Sequence, residues 1–477
     1  LTTDEFVADS GSTGTSPDHV RRERQQIMQQ FIRCMYLAIG LTLSLPLAVQ
    51  AQGLYLPGGG AAHLSMGGAS TAIPVDAIGA LYWNPAAIGR LEQSEVSIGG
   101  AFLFPNVYLE STVPGLLGPR SGRTRSDSGV GLTSNLGIVY HVDDSPLTLG
   151  LGLNTLGGGV VNFPGDINNP VLSGVGPLGN VQGPISSNLV LLQLNPTAAY
   201  RVTDRLVIGL GPTVSIALSS FDPAYFAPPN PPIGGGPGSF PFATHSRPFW
   251  GGGVRAGLVY SLTDRLDVGF GYTTPQWFEA WTYHSRTELG LPRTLTLDST
   301  LPAIYSWGIG YRATNQLLVT ADLRYLDYAN TRLWGTPIRN GGLGWQSVVA
   351  VAVGARYQVT DRIAVSLGYE YNDNPVPSVG TIFNTQSPLI TQHTLAVGAT
   401  LQLTEAVFAS LGYAYGFRNS ISGPVREATG YGVKLESDVH LLTFTLQFRF
   451  GGWSRKVVPT VCSECPVGPA SVTAPTP

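Results

Sequence analysis

The sequence predicts an all-β protein: a transmembrane antiparallel β-barrel of about fourteen strands with an N-terminal plug, or hatch, inside its lumen. Three observations predict it. Charged residues make up only 12% of the 477 residues, where soluble domains carry about a quarter. A short polar turn recurs along the chain between segments that alternate apolar and small. Ahead of them, Gly53 to Leu91 is apolar and rich in Gly and Ala, yet keeps neither a strand nor a helix period.

Taken in order, Leu1 to Gln30 is polar and opens with Leu, which reads as an over-extended start with the true start at Met28. Met35 to Val49 is an apolar run of signal-peptide length behind Arg33, and Val49-Gln50-Ala51 is a small-residue cleavage pattern, placing cleavage after Ala51. The run is short for a membrane helix and contains Pro46, and no other stretch is long enough to span as one. The net charge of −3, with one basic cluster at 21–24, gives nucleic acid no purchase. Residues 1–51 are therefore set apart as extension and leader.

Residues 52–91 are read as the plug. Leu81, Tyr82, Trp83 and Ile88 are too apolar for the alternative, a linker left in water. Residues 92–450 are read as the barrel. The turns are Val142 to Pro146, Val202 to Leu206, Leu262 to Leu266, Ala313 to Leu317, Val359 to Ile363 and Leu403 to Val407, with the Asp, Asn and Ser chemistry of tight connections. Tyr140, Tyr200, Tyr260, Tyr311 and Tyr357 stand just before five of the six and would form one aromatic belt. Six short turns and seven longer connections give fourteen strands, with both termini on the short-turn side.

The flanks alternate in one sense. In Ile363 to Tyr371, Ile363, Val365, Leu367, Tyr369 and Tyr371 take one face, and Ala364, Ser366, Gly368 and Glu370 the other. Asp267, Arg255, Asp322, Arg324, Arg356 and Arg449 share the second parity, toward the lumen. A cationic side chain on the lipid face at mid-bilayer costs about 2 to 4 kcal/mol, so the apolar face looks at lipid. A β-sandwich also alternates, but it exposes charge on its outer face; here that face is mostly small residues, suiting a lumen that holds something. The tail, 451–477, carries Cys462 and Cys465 as a lone C-x-x-C, read as a small disulfide loop rather than a metal site.

Met66-Gly67-Gly68-Ala69, Asp76-Ala77 and above all Asn84-Pro85-Ala86 resemble the N-terminal hatch of the outer-membrane long-chain fatty acid and aromatic hydrocarbon channels, the FadL family. The resemblance covers roughly Gly53 to Phe450. It implies a fourteen-stranded barrel, a hatch at the periplasmic end, a kinked third strand opening a gap in the wall, and passive uptake of hydrophobic molecules. The plug residues that carry it are Gly67, Gly68, Asp76, Asn84, Pro85 and Ala86. Family members usually stop at the residue matching Phe450, so the tail is a departure.

The third strand, Leu147 to Phe163, alternates until Gly157, Gly158 and Gly159, which mark a bend or simply end the strand. The family's kink matches this position. The long connection from Phe221 to Phe249 is aromatic and stiffened by proline, and the next outer connection adds Trp277, Phe278 and Trp281. Phe226, Phe240, Phe242, Arg247, Phe249, Trp277, Phe278 and Trp281 are therefore the candidate substrate-binding residues; packing on one another to cap the barrel is their alternative use. A fatty acid would need a donor for its carboxylate, for which Arg247, Arg286 and Arg293 are nearby.

Scattered histidines, no G-x-S-x-G and no phosphate-cradling glycine motif speak against an enzyme, and no cofactor or metal is expected. The reading is an outer-membrane channel, a monomeric barrel in lipid with periplasmic termini, passing a hydrophobic small-molecule ligand. A structural or adhesive barrel binding a partner through its outer loops, and a polar porin, are the alternatives.

Overall fold

The computed structural model describes residues 52–115, 118–173, 183–232, 238–244, 247–425 and 430–451. The expected leader and the Cys462/Cys465 tail lie outside these residues.

Alternation becomes a wall of fourteen long strands: β1 (Ser94–Val113), β2 (Gly131–His141), β3 (Leu147–Phe163), β4 (Ile185–Arg201), β5 (Leu206–Asp222), β6 (Phe249–Ser261) and β7 (Leu266–Thr273), then β8 (Ile304–Arg312), β9 (Leu317–Leu326), β10 (Val348–Gln358), β11 (Ile363–Asn372), β12 (His393–Gln402), β13 (Val407–Pro424) and β14 (Gly432–Phe450). Each pairs antiparallel with its sequence neighbours, and the ring closes where β1 meets β14, from Ser94 opposite Phe450 to Thr112 opposite Gly432. Closure leaves no free edge, which a bilayer requires because it offers no water to an unpaired N–H or C=O. Short strands at Arg120–Arg125, Gln276–Phe278 and Thr300–Leu301 lengthen the wall on the long-loop side, and Trp281–Arg286 with Pro292–Leu297 forms a separate hairpin there.

The lipid-side and lumen-side parities fall as the alternation predicts. Ile208, Leu210, Trp307, Ile309, Leu411, Leu442 and Phe444 are exposed on the outer face, while Arg255, Asp267, Asp322, Arg324 and Glu370 are buried on the inner one. Tyr140, Tyr200, Tyr260 and Tyr311 are exposed at the short-turn end. No helix among the described residues is long and apolar enough to cross a membrane.

Residues 52–91 lie inside the ring. Two short helices, α1 (Ala61–Leu64) and α2 (Ala77–Trp83), and a 3₁₀ turn at Pro85–Arg90 pack directly on the inner face. The wall admits them because its inward residues there are glycine: a Cβ on Gly368 would stand 2.0 Å from the Gly67 nitrogen, on Gly209 2.4 Å from the Ala86 nitrogen, and on Gly354 2.4 Å from the Met66 oxygen. The small inward parity seen in the sequence is thus a set of backbone-to-backbone contacts.

Candidate functional site

The inner segment carries many backbone polar groups into the lumen, and the wall's buried charges meet them. Asp322 accepts from the Ser70 nitrogen at 2.9 Å and from the nitrogen and hydroxyl of Thr71 at 3.1 and 2.7 Å. Arg255 donates to the carbonyls of Leu81 and Tyr82, both at 2.6 Å, covering the negative end of α2. At the positive end, Asp76 caps the helix through Gly79 N–H at 2.7 Å, and Glu95 accepts from the Ala77 nitrogen at 2.7 Å. Arg324 lies over the Trp83 ring at 4.3 Å and donates to the Gly68 oxygen at 2.6 Å and the Pro57 oxygen at 3.2 Å.

The motif residues have local roles in this arrangement. Asn84 donates to the Thr71 and Leu258 carbonyls at 2.7 and 3.0 Å and accepts from the Ala86 nitrogen at 3.0 Å, so it ties two parts of the segment to β6. Pro85 opens the 3₁₀ turn, where a missing N–H costs nothing. Gly68 has a left-handed φ of 79°, and a Cβ on it would stand 2.0 Å from the Pro57 oxygen. Gly67 adopts the same hand against Tyr369 of β11. His63 packs under Gly79, accepts from Val75 N–H at 3.2 Å and faces Asp76 at 3.3 Å.

The wall changes character at the three glycines. β2 and β3 pair only from His141–Thr148 to Asn135–Asn154. Beyond that point Thr155 Oγ1 bridges to Ser134, accepting from its nitrogen and donating to its oxygen at 3.1 Å each, and hydrogen bonding resumes at Asn162, which bonds Ser126 and Asp127. A bulge follows between Thr155 and Gly157. The inner segment then takes the place of β2: the Leu56 nitrogen donates to the Leu156 oxygen at 2.8 Å and the Gly158 nitrogen to the Leu54 oxygen at 3.2 Å. A Cβ on Gly157 would stand 1.7 Å from that Leu54 oxygen. Gly159 continues the β3 pairing with β4, opposite Leu189. The bend and the strand's continuation therefore coexist.

A cavity of about 390 Å³ opens beside this kink. Leu56, Leu64, Leu389 and Leu441 line it from inside, and Val130 and Leu132, 56% and 66% exposed on the outer surface, line it at the wall. A second, smaller pocket of about 60 Å³ lies among the outer connections, bounded by Phe221, Tyr225, Phe226, Trp334 and Phe383. One stretch separates the two: Gln386 and Ser387 face the outer pocket, Pro388 and Leu389 the inner cavity. Gln386 Nε2 fixes it by donating to the Ser186 and Pro223 carbonyls at 2.9 and 2.8 Å.

The aromatic residues named from sequence divide between these surroundings. Phe249 and Trp281 are fully buried and stacked at 5.5 Å, with Phe278 edge-on to Trp281 at 5.8 Å. Phe240 sits edge-on to Tyr225 at 5.2 Å, and Phe242 is half-buried in the same connection. Phe226 lines the outer pocket, whereas Trp277 is 61% exposed. The three arginines already have acceptors: Arg247 forms a two-pronged pair with Glu279 at 2.7 and 2.6 Å, Arg293 holds Asn230 and the Pro228 carbonyl, and Arg286 the Gly290 carbonyl. Sequence reasoning passed over Gln386, Leu389, Trp334 and Trp345. A signal was present at 327–347, a second long connection rich in glycine and aromatic residues; 373–392, with Phe383 as its one aromatic residue, offered only its length and its prolines.

A closed lipid-faced ring with a filled lumen and an apolar cavity opening at its wall defines a membrane-barrel transport protein. The chain belongs to the outer membrane protein transport protein family (OMPP1/FadL/TodX), whose model matches residues 43–450. Among solved structures it is similar to a Pseudomonas aeruginosa FadL homologue, with 15% identity, a TM-score of 0.65 and coverage of 84% of this chain and 100% of that one. The Pseudomonas putida toluene transporter TodX gives 16%, 0.62, 83% and 99%, and the Ralstonia pickettii toluene transporter TbuX 16%, 0.59, 83% and 99%. At such identities these neighbours speak for the fold. A comparison with curated proteins finds no match. The chain is an outer-membrane β-barrel of a transport family.

Proposed function

We propose that the protein is a passive channel for hydrophobic small molecules, with the short-turn end and both termini in the periplasm, acting as a single barrel in the outer-membrane lipid. The observation that carries this reading is the cavity of about 390 Å³ whose lining runs from Leu64 and Leu441 inside to Leu132 on the outer face, at the place where β2 and β3 stop pairing. A passenger leaves water at the outer pocket around Phe226, passes the Gln386 to Leu389 stretch and enters the cavity. It leaves sideways between β2 and β3 once Gln52 to Leu56 yields. Residues 52–91 act as the plug that denies the same route to water and ions. The aromatic stack of Phe249, Phe278 and Trp281 holds the outer connections in shape, and Phe226, Phe240 and Phe242 offer the first apolar contact. The two toluene transporters named above share this fold, which supports a hydrocarbon as passenger.

The test is uptake of labelled toluene and labelled oleate by cells carrying the protein or its Leu389→Trp variant, which fills the cavity opposite Gly159. Uptake that falls several-fold in the variant, with the barrel assembled, supports the route. Equal uptake by variant and parent rejects it.

A further inference from the structure

The cavity's chemistry narrows the passenger further, given the channel reading above. Its lining contains no arginine, lysine or histidine. Its one ionisable group besides Tyr55 is Glu370, whose side chain is fully buried. Glu370 Oε1 faces Arg324 Nη1 at 3.4 Å, and Oε2 has no hydrogen-bond partner among the described residues. The Arg324 guanidinium does not border the cavity; its two terminal nitrogens are spent on Gly68, Pro57, Gln52 and Asp322.

We infer that Glu370 makes this cavity select uncharged apolar molecules bearing a hydroxyl, and reject carboxylates. A carboxylate brought here would lose its water without gaining a cation, and would meet a second carboxyl group across an apolar space. A hydroxyl at the same place supplies the donor that Oε2 lacks, while the remainder of the molecule lies against Leu56, Leu389 and Leu441. A plain hydrocarbon fits but leaves Oε2 unsatisfied. Asn372, Thr391 and Thr394 are the neighbouring polar residues of the lining and carry no charge to reverse this order.

The test is calorimetric titration of the purified full-length protein in detergent micelles with three probes of one shape: p-cresol, toluene and p-toluate at neutral pH, each corrected for empty micelles. The expected order is p-cresol tightest, toluene weaker by roughly tenfold, and p-toluate weakest. In Glu370→Gln the gap between p-cresol and p-toluate narrows by roughly tenfold or more. Thr394→Lys, directly across the strand pair from Glu370, provides a cation without removing the carboxyl group, and it narrows the same gap by raising p-toluate binding. p-Toluate binding as tightly as p-cresol to the parent protein overturns the inference and leaves the channel reading intact, as does an unchanged ratio in either folded variant. Failure of all three probes to bind beyond empty micelles overturns the channel reading, and the inference with it.

Discussion

The two parts of the inner segment are held in different ways. Ala61 to Leu91 is fixed by buried ions of the wall, Asp322, Arg255, Arg324 and Glu95, acting on backbone groups at distances of 2.6 to 3.1 Å. Gln52 to Leu56 is fixed mainly by neutral contacts: the pairing with Leu156 and Gly158, the Tyr328 hydroxyl, which accepts from Leu54 N–H at 2.9 Å, and that hydroxyl's own bond to the Gln52 oxygen at 3.1 Å; its one ionic contact among the described residues is the longer bond from Arg324 to Gln52 Oε1 at 3.4 Å. The cavities follow the same division. At the short-turn end a space of about 590 Å³ is lined by Arg90, Arg265, Arg312, Arg356 and Arg449, whereas the cavity beside Gln52 to Leu56 has no basic residue. Hydrogen bonds to ions are about twice as strong as neutral ones, so the same segment has an anchored body and a releasable lead. A channel for apolar passengers needs that asymmetry, because the part that moves must leave no charge bare.

The sharpest way to break the comparison is Asp322→Ala. It strips three donors from Ser70 and Thr71 of their acceptor and leaves Arg324 with less compensation inside the lumen. Loss of one partner of a buried ionic network costs about 3 to 5 kcal/mol. The expected result is a lower temperature for loss of the heat-resistant folded band on electrophoresis, with residues 61–91 opened to protease. A variant as heat-resistant and protease-resistant as the parent would mean that the body is not ion-anchored.

Gly157→Ala strikes the lead instead. The added methyl collides with the Leu54 oxygen and asks a bulged backbone at φ 154° to accept a side chain, a strain of about 1 to 3 kcal/mol. The expected result is several-fold faster toluene uptake with the folded band preserved, since only Gln52 to Leu56 gives way. Slower uptake would place the gate elsewhere. This site also marks how far the sequence could be read. The strand count, the outward faces and the inward charges were legible because a period of two sorts side chains without reference to anything distant. The glycines were legible as a bend or a strand end. Their partner was not: nothing in GGG says that Leu54 and Leu56, about a hundred residues earlier, supply the missing hydrogen bonds. For the same reason Asp322 and Arg324 read as lumen charges, but not as clamps on Gly68 and Ser70. The aromatic loops were legible as apolar surface, while the division into a packed stack at Phe249 and Trp281 and an open pocket at Phe226 depends on the connections at 327–347 and 373–392 that close over them.

Gln386→Ala tests the partition between the outer pocket and the inner cavity. It removes the donor shared by the Ser186 and Pro223 carbonyls but leaves the Ser187 hydroxyl on the Gln386 oxygen at 2.6 Å, so the stretch loosens without detaching. Two unmet carbonyls near the surface cost about 1 to 2 kcal/mol, partly relieved by water. A two- to threefold rise in toluene uptake is expected, smaller than for Gly157→Ala if the kink limits passage. A rise equal to or larger than that of Gly157→Ala would move the limiting step to the outer side.

The smallest effect is expected where charge is exposed. The hydrogen bond from Arg247, followed by that from Trp250 N–H, holds the Glu279 carboxyl down to about 2. Its folded value lies below its ordinary value of 4.5, so any contribution of the pair is complete above that value and is lost as pH falls from 4.5 through about 2. Both side chains are solvated, which screens the pair. Tryptophan emission, reporting the Phe249 and Trp281 stack beneath Arg247, should therefore stay constant from neutral pH down to about 4.5 and change only below it, and Glu279→Gln should flatten that change while leaving toluene uptake at neutral pH as it was. Loss of uptake in Glu279→Gln would show that the outer connections, too, depend on an ionic anchor, and would erase the distinction between an ion-held body and neutral-held moving parts.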